Sequence, residues 1–195
     1  VTVDSPNGQL RMTFRTAQSG RLTYSVAYKG KPLLTDSALL LHLKGRPPLG
    51  ENVEITTANT SVGEDKYRLL SGKTSSVYER YRSLRLEAAE RGDQARVFAI
   101  EARLYDNAVA FRYVVPKQPA LSDFQLEKEG TEFRFAKDPF IWALFLPNFR
   151  SMYESEFIRL SASSLSNQGG VKSTQLVGLP LLADVPGVGW VAIAE

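Results

Sequence analysis

Leu10-Arg11-Met12-Thr13-Phe14-Arg15-Thr16 and, after Gln18-Ser19-Gly20, Leu22-Thr23-Tyr24-Ser25-Val26-Ala27-Tyr28 are the two runs whose reading decides the fold. Leu10, Met12 and Phe14 alternate with polar partners, and Leu22, Tyr24, Val26 and Tyr28 repeat the pattern. A period of two sends alternate side chains to opposite faces, so each run reads as a half-buried strand. The Ser-Gly between them reads as the reversal of a hairpin. Upstream, Ser5-Pro6-Asn7-Gly8 separates Val1-Thr2-Val3 from the first run. Pro fixes φ early in such a turn, and Asn-Gly supplies the positive φ of a tight reversal. Lys29-Gly30 and Asp106-Asn107 punctuate later runs in the same way.

Working outward, further strands are predicted at 39–43, 53–57, 95–105, 108–115 and 131–135. Strands at 175–184 and 190–193 flank the turn Pro186-Gly187-Val188-Gly189. Many strands at short spacing without alternating helices argue for an antiparallel all-β sandwich. One stretch is ambiguous. Val77, Tyr81, Leu84 and Ala88 recur at helical spacing, with Ser76 and Glu79 as a capping box and Gly92 as a stop. Leu84, Leu86 and Ala88 also alternate as a strand does; period alone tips the balance to helix. The Ser-rich stretch 161–170 reads as a flexible loop. No repeat or interdomain linker is visible.

Bulk properties exclude several classes. The 195 residues are enough for one domain with a sizeable core, and no apolar run approaches the roughly 20 residues of a membrane-spanning helix. Twenty-four cations are offset by 21 anions, leaving +3, and the signs interleave. A phosphate-tracking surface needs a stripe of one sign, so nucleic acid is not the expected partner. With no cysteine there is no disulfide, thiolate metal site or Cys nucleophile. The chain starts at Val1 and stops in an apolar strand, which reads as an excerpt from a longer polypeptide.

Candidate chemistry is thin. His42 is the sole histidine, set between Leu41 and Leu43 with no orienting partner in any nearby motif, so a triad is not expected. Hydrolysis of a glycoside needs two carboxylates about 5 to 9.5 Å apart. Glu127 with Glu129, or Glu154 with Glu156, would share a strand face, but such pairs read first as solvated surface. Trp142, Tyr153 and Trp190 could stack on sugar rings, or pack in the core or at a domain interface. Arg80, Arg82 and Arg85 beside Tyr78 and Tyr81 could stack on bases, but Glu79, Glu87 and Glu90 intervene.

The order of motifs adds a resemblance. Ser5-Pro6-Asn7-Gly8-Gln9-Leu10 is followed by Tyr24-Ser25-Val26 and Tyr28-Lys29-Gly30-Lys31-Pro32. Leu104-Tyr105-Asp106-Asn107-Ala108-Val109-Ala110-Phe111-Arg112-Tyr113 and Thr131-Glu132-Phe133 come next. Tyr153-Glu154 and the closing Trp190-Val191-Ala192-Ile193-Ala194-Glu195 complete the series. In this order the chain resembles the N-terminal domain of glycoside hydrolase family 97 over essentially its whole length.

That resemblance implies a single domain, 1–195, folded as an antiparallel β-supersandwich of the galactose-mutarotase-like kind. It also makes 78–91 extended. It implies a parent that is a calcium-dependent, exo-acting α-glucosidase or α-galactosidase, exported to the periplasm or outside a bacterial cell. The implied parent adds a central (β/α)8 barrel and a small C-terminal sandwich. Acid and base or nucleophile lie in the barrel, so this segment is expected to be non-catalytic, to brace the barrel and to help form the active-site rim. Its expected partners are that barrel and, in the parent, an α-linked oligosaccharide, with no nucleic acid and no membrane.

Glu195 matches a family position that helps bind calcium. One carboxylate cannot satisfy the six to eight oxygens the ion takes, so the segment alone is expected to hold none. Ala194 stands where His is frequent in the family and Ala108 where Gly is frequent. Two rivals remain: a stand-alone carbohydrate-binding sandwich, and an aldose 1-epimerase, whose usual several histidines this chain lacks.

Overall fold

The structure is a computed structural model and describes residues 1–166 and 176–195. Fifteen strands are present among these residues, all paired antiparallel, with a short 3-10 helix at Ala162–Ser166 and no α-helix. No helix here is long and apolar enough to cross a membrane. The chain divides into two compact units, Val1–Arg134 and Phe135–Glu195.

The first unit is built on β1 (Thr2–Asp4), β2 (Leu10–Thr16), β3 (Leu22–Tyr28) and β4 (Lys31–Ala38), paired in that order. The β3–β4 turn uses Lys29 and Gly30, both at positive φ (50° and 75°), which matches the twist of a two-residue hairpin. β5 (Leu41–Leu43) follows. The second large sheet joins β6 (Val53–Arg68), β7 (Ser76–Glu90), β8 (Val97–Leu104) and β9 (Val109–Val114), again in sequence order. β10 (Leu126–Glu129) returns to pair with β5. Met12, Phe14 and Leu22 from one sheet, and Leu84, Leu86, Ile100 and Leu104 from the other, are all but fully buried. They form the core between two sheets packed face to face.

Two expectations change. The helical spacing over Val77 to Ala88 is overturned: β7 is a strand, as the resemblance implied, and its ladder to β8 buries Leu84, Leu86 and Ala88 on one face. Period two wins because those three side chains have a sheet to cover, whereas Tyr81 and Val77 lie on the other face. The strand predicted at 131–135 is extended but incomplete. Gly130 N–H and Glu132 N–H donate to Leu40 and Ala38 carbonyls, and Arg134 C=O accepts from Thr35 N–H. Beside it β4 is irregular, with register shifts against β3 and Asp36 at φ 31°, so no full ladder forms. β6 also runs far beyond the predicted 53–57.

The second unit is one five-stranded sheet. β11 (Phe140–Leu146) pairs with β12 (Phe157–Ser161), with β13 (Leu176–Val177) and with β14 (Leu181–Val185). β15 (Gly189–Ile193) closes the edge on β14. The predicted turn at Pro186–Gly189 is where expected. The loop read at 161–170 begins instead as strand end and 3-10 helix; its remainder, like Gln175, lies outside the described residues.

Candidate functional site

The sheet of the second unit has two unlike faces. Ile141 and Ala143 on β11, Leu160 on β12 and Ala183 and Val185 on β14 are buried. On the opposite face Leu144 and Leu146 are buried and Trp142 is half-buried, but Phe140 is 43 % exposed, Leu182 40 %, Phe157 59 % and Trp190 61 %. Register aligns them. Trp142 lies opposite both Arg159 and Leu182, and Phe140 opposite Asp184, which in turn faces Trp190.

Local contacts hold these groups together. The Trp142 and Trp190 rings stand 4.9 Å apart, tilted by 41°. The Arg159 guanidinium lies 3.8 Å over the Phe140 ring and 5.4 Å from that of Trp142. Cation–π attraction of this kind contributes about 0.5–1 kcal/mol at an exposed site. The result is an apolar, aromatic surface with one arginine and one carboxylate, Asp184, set into it. A face of this composition marks a place where something else packs.

The other candidates stand apart from it. Tyr153 is 55 % exposed and rests on Gly178 rather than on either tryptophan. Glu154 and Glu156 are exposed and lie outside any strand. Glu127 and Glu129 do not share a regular strand face, because a register shift between Leu126 and Lys128 places Glu127 in a bulge. Glu129 accepts a hydrogen bond from Thr131, which is also bonded to Tyr113 at 2.8 Å. His42 is half-buried opposite Lys128, its Nε2 so close to Gly130 that a Cβ there would stand 2.8 Å away. Glycine at 130 thus serves the packing of the imidazole.

Arg85 is neutralised by Glu101 at 2.5 Å and Glu87 at 3.3 Å, and it faces away from Arg80 and Arg82. The three arginines make no common patch. Arg112 and Arg85 beside Glu101 hold its carboxyl below the ordinary range.

Glu195 follows β15 by two residues and is exposed. No group of three or more His, Asp or Glu side chains among the described residues could hold a metal ion. The residues present therefore do not fit a complete calcium site, and Glu195 can supply at most one carboxylate of such a site. The sequence reading had Trp142 and Trp190 but missed Phe140, Arg159 and Leu182. Phe140 and Trp142 at i and i+2 were the available signal; their neighbours from β12 and β14 had none.

An antiparallel all-β domain with an aromatic sheet face is the class these features define. The sequence profile described as Glycosyl-hydrolase 97 N-terminal matches residues 3–195, and the chain belongs to that family. A retaining alpha-galactosidase of Bacteroides thetaiotaomicron is 24 % identical over 193 residues, covering 94 % of this chain and 26 % of the relative. A probable retaining alpha-galactosidase of Streptomyces bingchenggensis is 32 % identical over 101 residues, or 52 % of this chain and 15 % of its own length. In structure, a beta-arabinopyranosidase superposes with TM-score 0.82 at 24 % identity, over 98 % of this chain and 31 % of that one. A Glycoside Hydrolase Family 97 enzyme from Pseudoalteromonas, in complex with acarbose, gives 0.77 at 22 %, over 95 % and 27 %. These likenesses confirm the all-β sandwich fold. The chain thus spans about a quarter or less of the curated relatives it matches.

Proposed function

We propose that this chain is the non-catalytic N-terminal domain of an exo-acting α-glycoside hydrolase, bracing a (β/α)8 catalytic barrel and contributing to the rim of its active site. The observation that carries this reading is the sheet face on which Phe140, Leu182 and Trp190 are exposed beside the half-buried Trp142, an apolar surface of the sort an intramolecular interface covers. The much greater length of the relatives supplies the segment to cover it. In this reading Glu195 extends past β15 toward the barrel and offers one oxygen donor to a calcium ion whose other ligands the barrel provides. Bound there, the ion would polarise substrate oxygens; what this chain contributes is a carboxylate two residues past the end of the β14–β15 ladder. The parent, in the same proposal, is a bacterial protein exported to the periplasm or beyond.

The test is a split protein. The isolated 195-residue chain should not hydrolyse aryl α-glucosides or aryl α-galactosides, and co-expression with the separately encoded downstream portion should rebuild activity. Turnover by the isolated chain, or full activity of the downstream portion alone, would overturn the reading.

The exposed Trp190 beside Trp142 favours one alternative, a self-sufficient carbohydrate-binding module. The 41° tilt denies a sugar a flat double platform, and Arg159 already occupies the Phe140 face. Calorimetric titration with maltose or raffinose separates the two: the bracing role gives no binding heat.

A further inference from the structure

β6 and β7 pair across their whole length, from Val53↔Glu90 to Arg68↔Ser76, but β8 accompanies β7 only as far as Arg82↔Leu104. Beyond that point six cross-strand pairs, Gly63↔Tyr81 to Arg68↔Ser76, continue as a two-stranded ribbon without a third strand. At about 3.3 Å per residue the ribbon reaches roughly 20 Å past the sheet. A ribbon of this kind is marginal in water unless something packs against it. An open recess of about 500 Å³, lined by Pro6, Val62, Glu64, Arg80, Tyr81 and Arg82, lies at its base.

The side chains are not those of a solvated hairpin. Val62 is 81 % exposed, Tyr67 54 %, Tyr78 50 %, and at the tip Leu69 is 43 % exposed and Leu70 wholly so. Turn tips favour Gly, Asn, Asp and Ser for conformational reasons; two adjacent leucines there need another explanation. The two faces differ in charge: one carries Lys66, Arg68 and Arg80 against Glu64, which is bonded to Lys66 and Tyr78, and the other carries Asp65 and Glu79. Lys73 adds a further cation at the tip.

We propose that this arm is a second clasp, resting on the reading above: its tip seats Leu69 and Leu70 in an apolar pocket with an acidic rim on the downstream catalytic portion of the same polypeptide. The occupant is in cis because the relatives compared carry, besides this domain, a stretch of chain at least about twice its length. A covalently linked partner also acts at high effective concentration. Arg68, Arg80 and Lys73 would meet the acidic rim.

Hydrogen exchange on the full-length parent and on the 195-residue chain tests the clasp. Amides of 63–81 should exchange at least about tenfold more slowly in the parent, and the paired substitution Leu69→Ser, Leu70→Ser in the parent should abolish that protection while leaving β8 amides unchanged. Equal exchange in both proteins means a free arm and overturns the proposal. Protection that appears in the 195-residue chain and grows with its concentration assigns the arm to a second copy and overturns it too. The same data carry an independent readout of the first reading. Protection of β11 and β15 without protection of the arm sinks the clasp alone, whereas no new protection anywhere sinks the bracing role.

Discussion

The core face of the β6–β9 sheet and the open face of the β11–β15 sheet are written in the same alternating pattern, yet only one is closed. Leu84, Leu86 and Ile100 are covered by Met12 and Phe14 from a second sheet and are at most 1 % exposed. Phe140 and Trp190, on the same face as the half-buried Trp142, have larger side chains and remain open to solvent. Alternation says which side chains share a face. It does not say whether the covering layer lies within the same 195 residues. The contrast assigns the first face to the stability of this domain and the second to its association.

The contrast can be broken by substitution. Leu86→Ala, deep between the sheets, should destabilise the chain by about 2–5 kcal/mol through lost burial and an unfilled cavity; denaturant unfolding that shows less than about 1 kcal/mol would mean the sheets are not packed as described. Arg96→Ala comes next. Arg96 is buried, bonded to both carboxylate oxygens of Glu90 and, at 3.0 Å, to the Pro47 carbonyl. Its loss leaves Glu90 without its partner, at a cost of about 3 kcal/mol, read as a lowered urea midpoint.

Trp190→Ser on the open face should cost the isolated chain no more than about 1 kcal/mol, the worth of one aromatic pair. In the full-length parent the same change should lower the melting temperature distinctly more; equal shifts in both would remove the case for an interface. Glu101→Gln should have the smallest effect, under about 1 kcal/mol, because its arginines are exposed. Its folded pKa is depressed, so the contribution is present above the ordinary carboxylate value of 4.5 and fades as pH falls through the folded pKa. Wild-type and variant stabilities should therefore differ at pH 7 and converge as pH falls below the folded pKa.

Much of the fold was legible. Leu10 to Tyr28, the Lys29-Gly30 turn and the hairpin about Pro186 to Gly189 fell where alternation and turn chemistry put them. The failures share a cause. Over 76–90, Val77, Tyr81, Leu84 and Ala88 fit a helix while Leu84, Leu86 and Ala88 fit a strand, and the neighbouring strands select the latter. At 131–135 the irregular edge of β4 limits the pairing, and at Glu127 a bulge breaks a face that simple counting had joined. The arm of β6 and β7 escaped notice because its exposed residues carry no period of their own.

Composition and period two by themselves determined that this chain forms antiparallel sheets, where its tightest turns fall, and that it has a single imidazole and no thiol. Local sequence carries those properties because turn φ angles and strand faces depend on neighbours one or two residues away. Which strands adjoin, that Arg159 on β12 reaches the Phe140 ring on β11, and that Trp142 meets Trp190 from 48 residues away, the tertiary structure alone decided. Cross-strand register and the covering of a face depend on contacts between distant segments, and no local pattern encodes them.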